Sequence, residues 1–403
     1  MKTKIKELIC LLLLLSFAVF SVSCMRVRAA EISAGYKGSY ESDEALPSGV
    51  YGGYAFLLFK NANKPGKNLL VSPLSALACT AMLCNGASGE TLAQLERTLG
   101  CDAASLNKTA YAALSGLSSG RDHKIVSASS MWVSEGLDVK PDFLQKNADY
   151  IGAQVYSAKF DASVINDINT WAKQKTDGLI PKAIDYLPSD TVLVLINSLL
   201  FDMKWQNKYE KSDIKDGVFH NQNGAEKNVS YLKSEERLYF KDENTVGFAK
   251  YYLNNDYVFA GLLPDENVNI DEYISSFSAG KWEKLWQGKS TGTVKAEMPE
   301  FDYDCETDLK ELFISLGVTD LFDPGRADLS KISDQELYCS AFIQKTRIEH
   351  GRNGTKAAAI TFGMVPKSAA PSELIVKLDR PFVYVIADAK TGMPVFVGAV
   401  KNL

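Results

Sequence analysis

Gly116-Leu117-Ser118-Ser119-Gly120 matches the G-x-S-x-G pattern that presents a serine nucleophile. That chemistry needs a strand before the serine, to hold its Oγ at a sharp bend, and a helix after it. Here the order is reversed. Leu106 to Leu114 carries a helical period, and Ile125 to Val133 reads as a strand. Ser118 therefore reads as part of a turn. Gly288-Lys289-Ser290 ends like a phosphate-binding loop, but the required first glycine falls at Glu283, so the backbone cradle is missing. The chain has only three histidines in 403 residues. His123, His220 and His350 have no His or Cys neighbour at metal-ligand spacing and read as surface or satisfied polar residues. The residue types predict no metal, no cofactor and no catalytic group, hence no enzyme.

Composition narrows the remaining classes. The chain is 46% hydrophobic and 23% charged, which is enough apolar material for a large packed core. A formal charge of −5 without a basic stripe excludes nucleic acid as the main partner. Outside the first 24 residues the cysteines are Cys79, Cys84, Cys101, Cys305 and Cys339. Five is an odd number, no C-x-x-C occurs, and Cys79 and Cys84 lie in an apolar helical run, so buried thiols are expected rather than a disulfide scaffold.

The beginning of the chain reads as an address. Lys2, Lys4 and Lys6 precede an apolar run from Leu8 to Phe20, too short to span a membrane comfortably. Residues 1–23 are expected to be a signal peptide. Cys24 directly after it suggests a lipoprotein, with Cys24 lipidated and the membrane reached through that anchor alone; simple secretion is the alternative. Either way the protein is exported, to the cell surface or the extracellular space. Residues 24–46 lack a helical or strand period and are expected to form a flexible tether, leaving 47–403 as one large domain.

Within that domain Ser72-Pro73 opens a helix that runs apolar to Gly86, with Ser72 as cap and Pro73 in the first turn. Val192 to Phe201 is an almost unbroken apolar strand, which implies burial on both faces. Asn166 to Lys175 is an amphipathic helix, and Thr307 to Leu316 is a helix ended by Gly317. Strands dominate from Leu374 to Val400. The fold class is α+β.

In this order and spacing the segments resemble the serpin family. The resemblance rests on Asn68-Leu69-Leu70-Val71-Ser72-Pro73-Leu74-Ser75, on Gly86-Ala87-Ser88-Gly89-Glu90-Thr91, on Thr191 to Phe201 with Trp205, on Asp379-Arg380-Pro381-Phe382, and on Phe396-Val397-Gly398-Ala399-Val400. It implies a single large domain of three β-sheets with eight to nine helices, an exposed reactive loop at about 352–373, and a monomer. It also implies an inhibitor of serine proteases, with cysteine proteases as a further target class, that traps its target as a covalent acyl-enzyme when the cut loop inserts into the central sheet; the alternative is a non-inhibitory member of the family that acts as a binding protein.

Gly354-Thr355-Lys356-Ala357-Ala358-Ala359-Ile360-Thr361 resembles the hinge of inhibitory members. Its parity is informative in itself. Thr355, Ala357, Ala359 and Thr361 are small and uncharged, while Lys356, Ala358 and Ile360 alternate with them, as a strand with one inward face requires. Counting from Gly354 as the family does places the cut between Ser368 and Ala369, which suits an elastase-like or subtilisin-like protease. Counting back from Pro381 points to Ala370, and Lys367 would suit a trypsin-like enzyme. Ser72, Ser75 and Asn197 match a network that controls sheet opening, completed in the family by a His where this chain has Gln344. Trp205 matches a residue at the mouth where the loop enters. There the family pairs an acid with a lysine; this chain has Arg352 and Glu300, which predicts the same bridge with its charges exchanged.

Overall fold

Ser72 and Pro73 start the helix around which the rest of the molecule packs. The Ser72 Oγ accepts from the Ser75 amide at 3.4 Å, and Pro73 occupies the first turn, where no donor is needed. All fourteen residues of this helix are buried, so its lack of a polar face is a consequence of lying inside the protein.

The structure, a computed structural model, describes residues 26–42, 48–117, 123–355 and 374–403. The leader with Cys24, Ser118, the loop from Lys356 through Ala357, Ala358, Ala359 and Thr361, and Lys367 to Ala370 lie outside the described residues. Nine α-helices occur among the described residues: α1 (Ser48–Asn61), α2 (Pro73–Gly86), α3 (Gly89–Leu99), α4 (Ala103–Ser115), α5 (Pro141–Tyr150), α6 (Ala162–Lys175), α7 (Ile270–Ser276), α8 (Ala279–Gln287) and α9 (Leu309–Ser315). The strands are β1 (Ala30–Glu31), β2 (Leu69–Val71), β3 (His123–Ser134), β4 (Gln154–Ala158), β5 (Leu193–Lys204), β6 (Ile214–His220), β7 (Glu226–Lys241), β8 (Thr245–Tyr251), β9 (Tyr257–Pro264), β10 (Ser290–Pro299), β11 (Phe301–Asp308), β12 (Ala341–Gly351), β13 (Gly354–Thr355), β14 (Leu374–Lys377), β15 (Phe382–Asp388) and β16 (Pro394–Val400). Helix α4 precedes β3, so the G-x-S-x-G stretch lacks the strand-then-helix context of a nucleophile.

A seven-stranded sheet runs β1-β4-β3-β5-β13-β12-β11, and a nine-stranded one runs β14-β10-β7-β8-β9-β15-β16-β2 with β6 on β7. The expectation of three sheets is met with one refinement: the long β7 pairs with β6, β10 and β8 in turn and so joins the two smaller sheets in one hydrogen-bonded path. The main core lies between the two sheets and contains α2. A second, smaller core on the other face of the seven-stranded sheet buries Trp132, Trp171, Val194 and Ile196 beneath α6.

The expected free tether does not hold for residues 26–42. Ala30 and Glu31 pair antiparallel with Ser157 and Tyr156 at the edge of the sheet. The Asp167 carboxylate on α6 accepts from the Arg28 and Ala29 amides at 3.1 and 3.0 Å. Ser33 Oγ accepts from the Val155 amide, and the Tyr40 ring sits against Tyr111 and Tyr150. The segment lacks periodicity because it is bound side chain by side chain and as a two-residue edge strand, neither of which leaves a repeating pattern. Asp167→Ala removes both charge-assisted bonds and should cost about 1.5–3 kcal/mol in urea unfolding, while trypsin cleavage after Arg26 and Arg28 speeds up. Unchanged cleavage would show that the carboxylate does not hold the segment.

Candidate functional site

Two strands that flank a single slot define the site. Strands β5 and β12 pair in parallel only over Val194–Asn197 and Ala341–Gln344. Higher up the two-residue β13 stands between them, Thr355 opposite Met203 and His350, Gly354 opposite Lys204 and Gly351. Between these contacts, residues 198–202 of β5 and 345–349 of β12 are not ladder-paired to one another among the described residues.

The last direct pair, Asn197 with Gln344, is also the centre of the expected network. Gln344 Oε1 accepts from the Ser72 amide at 3.0 Å. Its Nε2 reaches Ser72 O at 2.8 Å, Ser75 Oγ at 3.2 Å and Asn197 Oδ1 at 3.3 Å. Ser75 Oγ donates to Asn197 Oδ1 at 3.1 Å. All four residues are buried. A primary amide supplies both donor and acceptor here without a titrating group. The Asn197 Nδ2 has no partner among the described residues.

At the upper end, three N–H groups grip the turn before the hinge. The Trp205 indole donates to Gly351 O at 2.8 Å, its backbone amide to Asn353 O at 3.0 Å, and the Tyr209 amide to Arg352 O at 3.2 Å. Gly354 has φ +145°, and a Cβ there would lie 2.1 Å from Met203 O, so only glycine fits the slot. Thr355 is buried, and its hydroxyl shares a 2.7 Å hydrogen bond with the Tyr252 hydroxyl. Burial drives the Tyr252 hydroxyl well above its ordinary range, so it remains protonated. Glu300 and Arg352 meet as their inverted signs predict: Nε to Oε1 is 3.6 Å, and the same carboxylate oxygen accepts from the Arg352 amide at 3.1 Å. An open groove of 440 Å³ lies over this mouth, lined among others by Glu300, Asp302, Glu349 and Arg352.

Sequence reasoning missed the floor of the mouth. His350, expected to be surface or satisfied, is buried, with no partner for its Nδ1 among the described residues; Nε2 lies 3.3 Å from Met298 Sδ, and the ring stacks on Phe301 at 4.6 Å and meets Phe259 and Trp205. Lys250 and Glu236 form a buried pair at 2.9 Å, its ammonium 4.4 Å from the Tyr209 ring centroid. Tyr252 stacks on Trp205 at 4.4 Å. These residues converge from β7, β8, β9, β10, β11 and β12 and from the segments that follow β5 and β8, and no local pattern marks them.

A sequence profile described as "Serpin (serine protease inhibitor)" matches residues 51–403. The chain belongs to the serpin family. It is similar to the thermophilic serpin tengpin in its native state, with TM-score 0.89, 37% identity, and 94% of this chain and all of that chain covered. Against the latent state of tengpin the TM-score is 0.78 at the same identity, covering 91% of this chain. A rat leukocyte elastase inhibitor A is 27% identical, covering 86% of this chain and 97% of that protein. The direct β5–β12 pairing agrees with the better match to a native serpin.

Two outcomes test the mouth of this serpin. Burial, with the Lys250 ammonium nearby, lowers the His350 pKa from its ordinary 6.5 to about 3. The folded state thus refuses a proton that the unfolded state accepts. Its contribution is intact above pH 6.5 and is lost as pH falls toward 3, with a slope approaching about 1.4 kcal/mol per pH unit. His350→Phe and His350→Leu should flatten the stability profile over that window relative to wild type; parallel profiles would refute the buried neutral imidazole. For the half-exposed bridge, Glu300→Lys and Arg352→Glu should each speed spontaneous conversion to the loop-inserted form by up to about fivefold. The double exchange should recover only part, since it rebuilds the ion pair but not the bond to the Arg352 amide. A double variant no slower than the singles would refute the pairing.

Proposed function

We propose that this serpin inhibits serine proteases by inserting its cut reactive loop between β5 and β12. The observation that carries the reading is the register of β13. Continued downward, it sets positions 357, 359 and 361 against Ile348, Thr346 and Gln344 on one side and Phe201, Leu199 and Asn197 on the other. All six neighbours are buried, and the sequence supplies Ala357, Ala359 and Thr361 for those places. Position 356 falls between Asp202 and Glu349, and the sequence supplies Lys356. Size and charge both agree with insertion in this one register and disagree with a shift by one residue.

The target's serine Oγ attacks the carbonyl of Ser368; the peptide bond to Ala369 breaks, the new amino terminus leaves, and the carbonyl stays on the protease as an ester. Insertion of the freed strand carries the ester-linked protease away before water can cleave the bond. This protein supplies the bait and the slot, and the protease supplies the catalytic groups. Ser368 and Ala369 suit an elastase-like or subtilisin-like pocket, a reading supported by similarity to a leukocyte elastase inhibitor; Lys367 keeps a trypsin-like target as the second reading. Export with an anchor on Cys24 would place the inhibitor outside the cell.

Incubation with elastase-, subtilisin- and trypsin-like proteases should give a complex that survives boiling in detergent with at least one of them, and sequencing the released peptide gives the cut. Thr355→Arg, which puts a cation against Tyr252, should turn the inhibitor into a substrate. Cleavage with full protease activity across the panel would overturn the inhibitor reading, and undiminished trapping by Thr355→Arg would overturn the insertion step.

A further inference from the structure

The first two hinge residues are already strand residues in the uncut protein, and besides their ladder partners one side chain reaches Thr355 itself. The Tyr252 hydroxyl is fully buried and meets Thr355 Oγ1 at 2.7 Å. The ring cannot swing away: it lies flat on Trp205 at 4.4 Å with 15° between planes, and edge-on to Phe201 at 5.1 Å. Its backbone is equally fixed. The Tyr252 amide donates to Tyr257 O, a bridge ties Tyr252 to Trp205, and the turn that follows needs Asn254 and Asn255 at positive φ, a conformation asparagine tolerates. The hydroxyl is thus a fixed post. Were the hinge to leave, a buried hydroxyl would lose its partner, a cost that a phenylalanine at the same place would not incur.

We infer that Tyr252 is a positioning residue for loop insertion: its hydroxyl holds Gly354 and Thr355 in the sheet of the uncut protein, so that insertion grows from a strand already paired on both sides. The functional half rests on the inhibitor reading above; the structural half does not. A prealigned strand start removes the slow search for register, and the race between insertion and hydrolysis of the ester then favours trapping. Thr355 keeps its place as the strand lengthens, so the post acts on the start of insertion and not on the final stability of the inserted sheet.

The test is a double-mutant comparison read by backbone amide exchange over residues 351–355 with mass spectrometry. Tyr252→Phe and Thr355→Val should each raise exchange there by about fivefold, the factor matching one neutral hydrogen bond, and the double variant should be no worse than either single. Thr355→Ser keeps the hydroxyl and should stay near wild type. Exchange within α2 reports global folding and should not change. With a protease that wild type traps, Tyr252→Phe should consume more inhibitor per complex formed. Unchanged exchange in Tyr252→Phe, or additive effects in the double variant, would overturn the post. Raised exchange with an unchanged trapping ratio would overturn its role in insertion. Should wild type trap no protease, the inhibitor reading fails, and the exchange cycle still decides whether the hydroxyl holds the hinge.

Discussion

The molecule is organised around a parallel pair of strands that hydrogen-bond at one end only. Four residue pairs join β5 to β12, from Val194–Ala341 to Asn197–Gln344, and above them the strands are held apart by the two residues of β13. A sheet interior ordinarily satisfies its backbone groups strand to strand, so a slot of this kind needs restraint at both ends. The lower restraint is a side-chain network and the upper one a set of backbone grips with an aromatic floor. Each would be an ordinary polar cluster elsewhere. Here they keep a strand position open.

The two restraints differ in kind. At the lower end, Gln344 donates and accepts inside a fully buried cluster, and its bonds to Ser72 and Ser75 tie β12 to the start of α2. Opening the sheet there means breaking several buried hydrogen bonds at once, and water has no ready access to replace them. At the upper end the grip falls on main-chain carbonyls of 351–353, which any side chain would present equally. Selectivity comes from Gly354, the one residue that fits against Met203 O, and from Thr355 at Tyr252. Pairing Glu300 with Arg352 in place of the usual charges leaves this geometry intact, because the bridge works by complementarity of sign.

The parts of this design that were legible in the sequence are those whose signal is local. Ser72-Pro73 announces a helix start, the apolar run from Val192 announces a strand buried on both faces, and alternating size after Gly354 announces an inward face. Glu300 and Arg352 were readable as a pair only because both depart from the family pattern together. Tyr252, His350 and Lys250 carry no comparable sign. Their roles depend on how β7, β8, β10 and β12 lie beside one another, and register between distant strands is fixed by the whole core rather than by neighbours in sequence. Residues 26–42 escaped for a related reason: an edge strand of two residues, anchored by Asp167 and by aromatic contacts, has no period to detect.

On the insertion proposed above, register would also order the events. Extending β13 alongside β12 places position 361 opposite Gln344; extending it alongside β5 places the same position opposite Asn197. The two counts agree. Positions 356 to 360 therefore fall where β5 and β12 have no ladder partner across the slot, and their entrance breaks no strand pairing. Position 361 is the first to meet a closed pair, and that pair is the network of Gln344, Asn197, Ser72 and Ser75. On that proposal insertion would divide into a stretch where no ladder between β5 and β12 has to break and a stretch that must first unmake a buried cluster. On the insertion proposed above, the barrier that keeps the uncut protein from closing on its own loop would lie at this boundary, and the gain from the first stretch would be what is available to cross it. A weaker network would lower the barrier without touching the bait. Metastability of that kind would be set in the sheet, remote from the proposed cut.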